Sequence, residues 1–302
     1  MSFPTPPTIL RRLGLRPKKA WGQHFLLYPH IARRIVTALD LPDQAAVVEI
    51  GGGLGALTFY LAEAVHTLIV LELDPRLAAY LQEEVAAAHP GAQILCQDAL
   101  TFDFQGFSEA TGRLLTVVGN LPYQITSPLL FKLIEAKAAL SKAVFMMQQE
   151  VGQRLLASPG NKDYGILTVL LQYHFTLARL FSLSPANFYP PPQVDSVVLS
   201  LIPRRPEIVA VDEAKFAQVV KMAFAPRRKT LNNTLAARAA ALGLSPASVR
   251  EALLALNLDP GRRGETLSPT EFIHLSNRLQ AKATSPVPAE APPPFTPGQK
   301  KF

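Results

Sequence analysis

The 302-residue chain is 48% hydrophobic and 18% charged, a balance that suits one large and one smaller globular domain and excludes wholesale disorder. A single cysteine, Cys96, rules out an intrachain disulfide and a thiolate metal cluster, and no apolar run approaches the ~20 residues that span a bilayer. The net charge of +7 is uneven: residues 1–39 hold seven Lys/Arg and no acid, residues 41–110 hold ten Asp/Glu against Arg76 alone, and residues 214–250 hold seven basic residues and no acid.

Two acid-free basic stretches of this length point to a polyanionic partner. The first 40 residues lack the layout of a secretory signal, so a cytoplasmic protein with no membrane partner is expected. They read as a basic segment with a helix that packs on the site described next. From Ala46 a strand-then-helix rhythm sets in. Residues 46–50 (AVVEI) predict a buried strand, followed by a glycine cluster and a helix over 56–65. Strands follow at 67–73, 92–98, 114–120 and 142–149. Helices are predicted over 76–89 and over 127–136, the latter with Ser127 as N-cap and Pro128 in the first turn. This alternation predicts a parallel sheet covered on both faces. Residues 173–181 and 194–203 have no helix between them and predict a hairpin-like pair that closes the sheet, one strand antiparallel. Past Pro203-Arg204-Arg205-Pro206 the texture turns Ala- and Leu-rich. The expected division is therefore a basic segment (1–40), an α/β domain (41–205), a small helical domain (206–282) and a disordered proline-rich tail (283–302).

The segment EIGGGLGALT (49–58) leaves a strand and opens a helix, placing glycines where backbone approaches a ligand. Gly51-x-Gly53-x-x-Ala56 also satisfies the dinucleotide fingerprint, so the loop alone does not separate NAD from another adenosine cofactor. Glu72, 23 residues after Glu49 and at the end of the second strand, is placed to accept both hydroxyls of a ribose. Asp98, ending the third strand, is placed to accept from the exocyclic amine of adenine.

The fourth strand ends in Asn120-Leu121-Pro122-Tyr123, which offers no proton relay for hydride transfer. An adenine N6 amine is a poor nucleophile because its lone pair is delocalised into the ring. Two acceptors set against its N–H groups favour a more electron-rich nitrogen. The Asn120 side-chain oxygen and the Leu121 carbonyl, its direction limited by Pro122, are two such acceptors, and Tyr123 supplies a stacking face. No strong base is needed, and alignment with an electrophile such as a methyl sulfonium supplies most of the acceleration.

The set WGQHFL (21–26), VEIGGGLGALT (48–58), LELD (71–74), QDAL (97–100), GNLPY (119–123), FYPPPQVDS (188–196) and FAPRRKTLNN (224–233) resembles the ribosomal RNA adenine N6-dimethyltransferases, in particular the branch acting on small-subunit rRNA. The likeness runs over about residues 18–280. It implies a Rossmann-like class I methyltransferase fold, a seven-stranded mostly parallel sheet with a small C-terminal all-helical domain. It implies S-adenosyl-L-methionine as cofactor and no metal. Gln23, His24 and Leu26 would line its methionine end, Gly51 and Gly53 the backbone loop, Glu72 the ribose, Asp98 the adenine, with Asn120 at the transfer end. Asn120, Leu121, Pro122 and Tyr123 would hold the target adenine, and Phe188 would cover the other face of the flipped base.

Two positions depart from that family's usual pattern. His24 stands where Asn is usual, so its expected contact with a carboxylate becomes dependent on imidazole protonation. Gly52 stands where Pro is usual and is expected to loosen the loop. Arg16, Lys18, Lys19, Arg227, Arg228 and Lys229 are expected to contact RNA phosphates, with Arg11 and Arg12 nearby; A-form stems are read through shape and backbone. The activity implied is dimethylation of N6 on two adjacent adenosines in the 3′-terminal stem-loop of 16S rRNA, within an immature 30S subunit, by a monomer. A large-subunit rRNA methyltransferase conferring antibiotic resistance, a DNA adenine methyltransferase, a ribosome-assembly binding factor and a NAD dehydrogenase remain as alternatives.

Overall fold

The computed structural model describes residues 4–18, 21–225 and 228–284. Lys19, Arg227 and the proline-rich run from Ser285 lie outside them. The contacts divide the chain into a first unit that runs to Ile208 and takes back Glu265–Thr270, and a second unit of Val209–Gly264 and the residues from Glu271 onward. The six residues that return to the first unit break the contiguous domain expected from the sequence.

The first unit opens with α1 (Pro6–Arg12), a two-residue strand β1 (Phe25–Leu26) and α2 (Pro29–Leu39). Both helices start on proline, whose missing N–H costs nothing at a first turn. Asp40, the first acid, ends α2 in the left-handed region at φ 52°. The alternating part follows as β2 (Ala46–Ile50), α3 (Thr58–Ala64), β3 (Thr67–Glu72), α4 (Pro75–Leu81), β4 (Ala92–Cys96), α5 (Phe104–Thr111), β5 (Leu115–Asn120), α6 (Thr126–Glu135) and β6 (Leu140–Gln148). The helix expected over 76–89 begins one residue earlier, because Asp74 caps it by accepting from the Arg76 N–H, and passes into a π-type turn at Gln82–Ala86.

Ser127 is not an N-cap. The Pro122 carbonyl accepts from the Ile125 N–H and from the Thr126 hydroxyl, each at 3.1 Å, so the turn closes early and α6 starts at Thr126 with Ser127 already inside it. Beyond β6 come α7 (Gln149–Leu155), α8 (Ile166–His174), β7 (Phe175–Leu183), β8 (Phe188–Tyr189) and β9 (Ser196–Pro203). Tyr173 and His174, assigned to a strand from sequence, instead end α8; an apolar run does not by itself distinguish a buried helix from a strand.

The sheet order is β4-β3-β2-β5-β6-β9-β7, parallel from β4 to β6, with β9 antiparallel to both β6 and β7. The expected closing pair is present, but it is not a tight hairpin, since β8 leaves between its strands to pair with β1. Successive residues of β2 feed opposite faces: Val47 joins a core with Ile35, Leu61, Leu68 and Val118, whereas Val48 joins one with Ile69, Val117, Leu129 and Phe145. The chain leaves β2 towards β3 and β4 on one side, and β5 and β6 occupy the other. Strand order thus reverses between β2 and β5, and a crevice opens above their carboxyl ends. Gly119 permits their close approach, because a Cβ there would collide with the Ile50 carbonyl oxygen.

The second unit is helical: α9 (Glu213–Phe224), α10 (Leu231–Ala236), α11 (Pro246–Ala255) and α12 (Pro269–Thr284). Asp212, Thr230 and Ser245 cap the first three through side-chain oxygens. Phe216, Val220, Leu235, Leu253, Phe272 and Leu279 are fully buried within it.

Gly52 is not loose. A Cβ there would lie 2.5 Å from Val70 Cγ1 and 2.6 Å from Leu81 Cδ1, so fully buried side chains of β3 and α4 fill the room that a proline ring would need. Gly52→Pro is therefore expected to cost about 1–3 kcal/mol of stability through overpacking. Combining it with Val70→Ala should cost less than the sum of the two single changes, as read from denaturant midpoints.

Candidate active site

The crevice at the strand reversal is a cavity of about 260 Å³ walled by residues 21–26, the glycine loop, the ends of β3 and β4, and the turn after β5. Its size is near the lower end for small-ligand sites, roughly 300 Å³. Gly51, Gly53 and Gly55 all have positive φ, at 75°, 57° and 85°. At Gly53 a side chain would also press on the Phe25 ring, 3.3 Å away, which is why this loop is built of glycine.

Glu72 holds the loop in place. Its Oε2 accepts from the Gly53 N–H and its Oε1 from the Asp74 N–H, both at 2.8 Å. Each carboxylate oxygen keeps a second lone pair for a ligand. Burial pushes the Glu72 carboxyl up from its ordinary value, and these two N–H donors work against that shift. Glu49, at the end of β2, is a residue that sequence reasoning used only to mark the motif. It is 1% exposed, lines the same cavity, and its Oε2 has no hydrogen-bond partner. Burial pushes its carboxyl up to about 8; Thr58 opposes the shift and Glu72 adds to it. At neutral pH the cavity therefore presents Glu49 as a neutral acid beside Glu72. The available signal was an acid on a strand whose five residues are all buried.

Asp98 lies on the cavity wall at the end of β4, its Oδ1 fixed by the Leu100 N–H at 2.9 Å. Leu73, 51% exposed, and Ala99 also line the cavity and give a flat apolar surface that the motifs did not single out.

The N-terminal segment forms the remaining wall. Gln23 Oε1 accepts from the Lys18 N–H at 2.8 Å, and Lys18 Nζ lies 3.0 Å from Asp74 Oδ2 and 3.6 Å from the centre of the Trp21 ring. Burial opposes ionisation of Asp74, but Arg76 and Lys18 hold its carboxyl below the usual range. Lys18, expected from sequence to meet RNA, thus joins Trp21 and Gln23 to Asp74 at the start of α4. Leu26 and Gln23 line the cavity as expected. His24 lines it too, but its Nδ1 is 2.7 Å from the Pro190 carbonyl oxygen. That ring contact is made to a neutral carbonyl and not to a carboxylate.

Asn120 and Pro122 line the cavity, and Leu121 is buried beneath it. The Asn120 Nδ2 donates to the His24 carbonyl at 2.9 Å, which leaves Oδ1 as the acceptor end. Tyr123 stacks on His24 with ring centres 6.0 Å apart; burial raises its phenol, partly offset by a hydrogen bond with Gln148. Phe188 is not on the cavity wall. It is 3% exposed, sits in the core of the first unit, and pairs with Leu26 across the β1·β8 ladder. The aromatic that this segment leaves 37% exposed is Tyr189. Arg16 is exposed, as are Arg228 and Lys229 between α9 and α10.

A parallel sheet with a final antiparallel strand inserted before its edge, a glycine loop answered by an acid at the end of the next strand, and Asn-Leu-Pro-Tyr after β5 define a class I methyltransferase. The model of the family Ribosomal RNA adenine dimethylase matches residues 14–278. Ribosomal RNA small subunit methyltransferase A of Geobacter metallireducens is 42% identical over 274 residues, covering 90% of this chain and 98% of the relative. The protein of the same name from Myxococcus xanthus is 43% identical over 276 residues, covering 91% and 95%. A crystal structure of a dimethyladenosine transferase from Plasmodium falciparum superposes with a TM-score of 0.71 at 24% identity, covering 83% of this chain and 96% of that one. The chain belongs to the ribosomal RNA adenine dimethylase family.

Two measurements test this geometry. Because Glu49 is raised in the folded state, its contribution to stability is full below its ordinary value of 4.5 and is lost as pH rises towards about 8. Glu49→Gln is therefore expected to flatten the fall in unfolding free energy between pH 5 and 8, read from urea titrations across that window. Lys18→Ala is expected to lower the melting temperature by a few degrees, for a loss of about 1 kcal/mol. It should leave the salt dependence of RNA binding unchanged.

Proposed function

We propose that this protein carries N6 of two adjacent adenosines in the 3′-terminal stem-loop of small-subunit rRNA to the dimethyl state, with S-adenosyl-L-methionine as donor, on an immature 30S particle. The relatives at 42–43% identity carry small-subunit names over nearly their whole length, which favours this substrate over large-subunit rRNA.

The cavity fits the donor by its own chemistry. Glu72 faces it with a carboxylate already oriented by Gly53 and Asp74, suited to a ribose diol. Asp98, with Leu73 and Ala99 beside it, suits an adenine edge and face. The orphaned Oε2 of buried Glu49 is an acceptor awaiting a donor, and a cationic ligand there favours the ionised carboxylate. Gln23, His24 and Leu26 close the remaining end. When bound, S-adenosyl-L-methionine supplies a methyl group on an electrophilic sulfonium.

The observation that carries the reading is the fixed amide of Asn120. With Nδ2 committed to the His24 carbonyl, the side chain cannot flip, and Oδ1 is the end offered to an incoming amine. Together with the Leu121 carbonyl it accepts the two N–H groups of adenine N6, and the nitrogen lone pair is less drawn into the ring. The methyl would leave the donor sulfur with its bonding pair, as a neutral thioether, and the methylated nitrogen, made acidic by the new N–C bond, would give one N–H proton to solvent. Orienting the amine so that it meets its electrophile as a neighbour is worth up to about 7–11 kcal/mol. Exposed Arg16, Arg228 and Lys229 supply sequence-independent phosphate contacts.

Incubating the protein with labelled S-adenosyl-L-methionine and small subunits lacking the modification should yield N6,N6-dimethyladenosine on nucleoside analysis. Asn120→Ala should lower the rate about 100-fold or more with donor affinity kept, on the scale of losing one oriented hydrogen-bonding group. Unlabelled product from wild type would end the proposal. Replacing Arg228 and Lys229 together with Ala is expected to weaken RNA binding and reduce the salt slope by about 2, roughly one for each phosphate no longer neutralised, leaving donor affinity intact by calorimetry.

A further inference from the structure

Helix α2 turns one stripe to solvent. His30, Arg33, Arg34 and Thr37 are exposed, while Ile31, Ala32, Ile35 and Leu39 pack into the core. Positions three and four apart share a helix face, so these exposed side chains stand together. No acid occurs between Pro29 and Leu39.

The stripe begins on a residue that does nothing for the helix itself. Tyr28 is the N-cap and gives the first turn no side-chain hydrogen bond, at a position that short oxygen-bearing side chains stabilise. Its ring is 45% exposed and stacks on His30, with centres 5.7 Å apart and planes at 30°. The two arginines lie on rings of neighbouring elements: Arg33 is 5.3 Å above Tyr60 of α3, and Arg34 is 3.8 Å above Phe181 of β7. A guanidinium laid on a ring keeps its N–H edge outward and loses little freedom on meeting a phosphate. Neither arginine has a carboxylate partner among the described residues. The adjoining acids, Glu63 and Glu84, belong to α3 and to the turn after α4, and Glu84 is paired with Arg12.

This stripe adjoins the transfer site. The His24 carbonyl anchors Asn120, Leu26 lines the donor cavity, and the Leu27 N–H donates to the Asn187 carbonyl at 2.9 Å. Tyr28 follows directly. Four residues of chain separate it from His24, which limits the distance between their Cα atoms to about 14 Å.

We propose that the exposed stripe of α2, led by Tyr28, is a docking surface for unpaired nucleotides of the substrate rRNA beside the target adenosines. A base stacks on the Tyr28–His30 pair, and its flanking phosphates meet Arg33 and Arg34. This rests on the reading of small-subunit rRNA as substrate. A single exposed tyrosine is ordinary surface; a stacked ring pair next to two ordered, unneutralised cations matches the alternation of flat base and anionic phosphate along a single strand. A paired stem offers backbone and shape only and would leave the rings without a partner.

Binding to small subunits lacking the modification, measured without donor, reads docking apart from methyl transfer. Tyr28→Ala is expected to weaken binding about tenfold, within the range for one stacked base, with the salt slope unchanged. Tyr28→Phe should bind as wild type does, because the ring face and not the hydroxyl is used. Replacing Arg33 and Arg34 together with Gln should reduce the salt slope by about 1–2, the single-strand value for two phosphates. In steady-state methylation Tyr28→Ala should raise KM for the subunit and leave kcat in place. With p-benzoylphenylalanine substituted at position 28, irradiation should crosslink the protein to rRNA within a few nucleotides of the target adenosines.

Wild-type affinity in Tyr28→Ala would overturn the proposal. So would an unchanged salt slope in the double arginine variant, or a crosslink to a ribosomal protein or to a paired stem. Should the arginine variant not fold, the Tyr28 series and the crosslink decide alone. If the subunits bind and crosslink as expected but gain no methyl group, the proposed reaction fails and the docking surface stands. If methylation proceeds and Tyr28→Ala binds normally, only the docking surface fails.

Discussion

The Glu72 carboxylate, buried at the end of β3, gives each of its two oxygens to a backbone N–H: Gly53 in the glycine loop and Asp74 at the cap of α4. This single group joins the loop after β2 to the turn after β3. Without it the three positive-φ glycines would have many conformations and no defined cavity. Its position follows from sheet register, since Ile50 pairs with Leu71, and Gly51 then leaves β2 while Glu72 stays in β3 opposite Cys96. Burying a carboxylate is costly unless donors meet it, and here the donors are the backbone groups that the site needs held still.

The same economy operates around Asp74. It caps α4 and receives Lys18, and Lys18 in turn orders Gln23 and Trp21. The segment that closes the cavity is thereby tied to the start of α4 by an ion pair with a buried acid. Removing Lys18 leaves Asp74 its contacts with Arg76, so the loss stays modest. The basic N-terminus is therefore mixed in purpose: Arg16 is exposed, whereas Lys18 is a structural clasp.

At the transfer end the controlling feature is hydrogen-bond direction rather than charge. Asn120 is an amide with a donor end and an acceptor end, and only the neighbouring His24 carbonyl decides which faces the crevice. The proline-limited turn after it bonds inward to Ile125 and Thr126, so α6 begins directly below the acceptor motif.

Much of this was legible along the chain. Buried strands announced themselves as short β-branched runs, the glycine loop by its spacing, and the acid at residue 72 by its distance from it, because local chemistry dictates backbone form within a few residues. The helices α7 and α8 were not read, since the apolar run 166–174 lacks a period that separates a buried helix from a strand. Ser127 failed as a cap because a carbonyl upstream, at Pro122, reached the turn first. What the sequence determined by itself is the order of strands and helices from residue 46 to 148, the residue types at 49–53, 72, 98 and 120–123, and the basic character of both flanks, all properties of contiguous residues. What only the tertiary structure decided is which groups are left without partners. It buries Glu49 with an unsatisfied oxygen, turns Lys18 inward to Asp74, packs Phe188 into the core while Tyr189 faces out, and fills the space at Gly52 with Val70 and Leu81. Burial and pairing depend on residues brought together from across the chain. No local pattern carries that information.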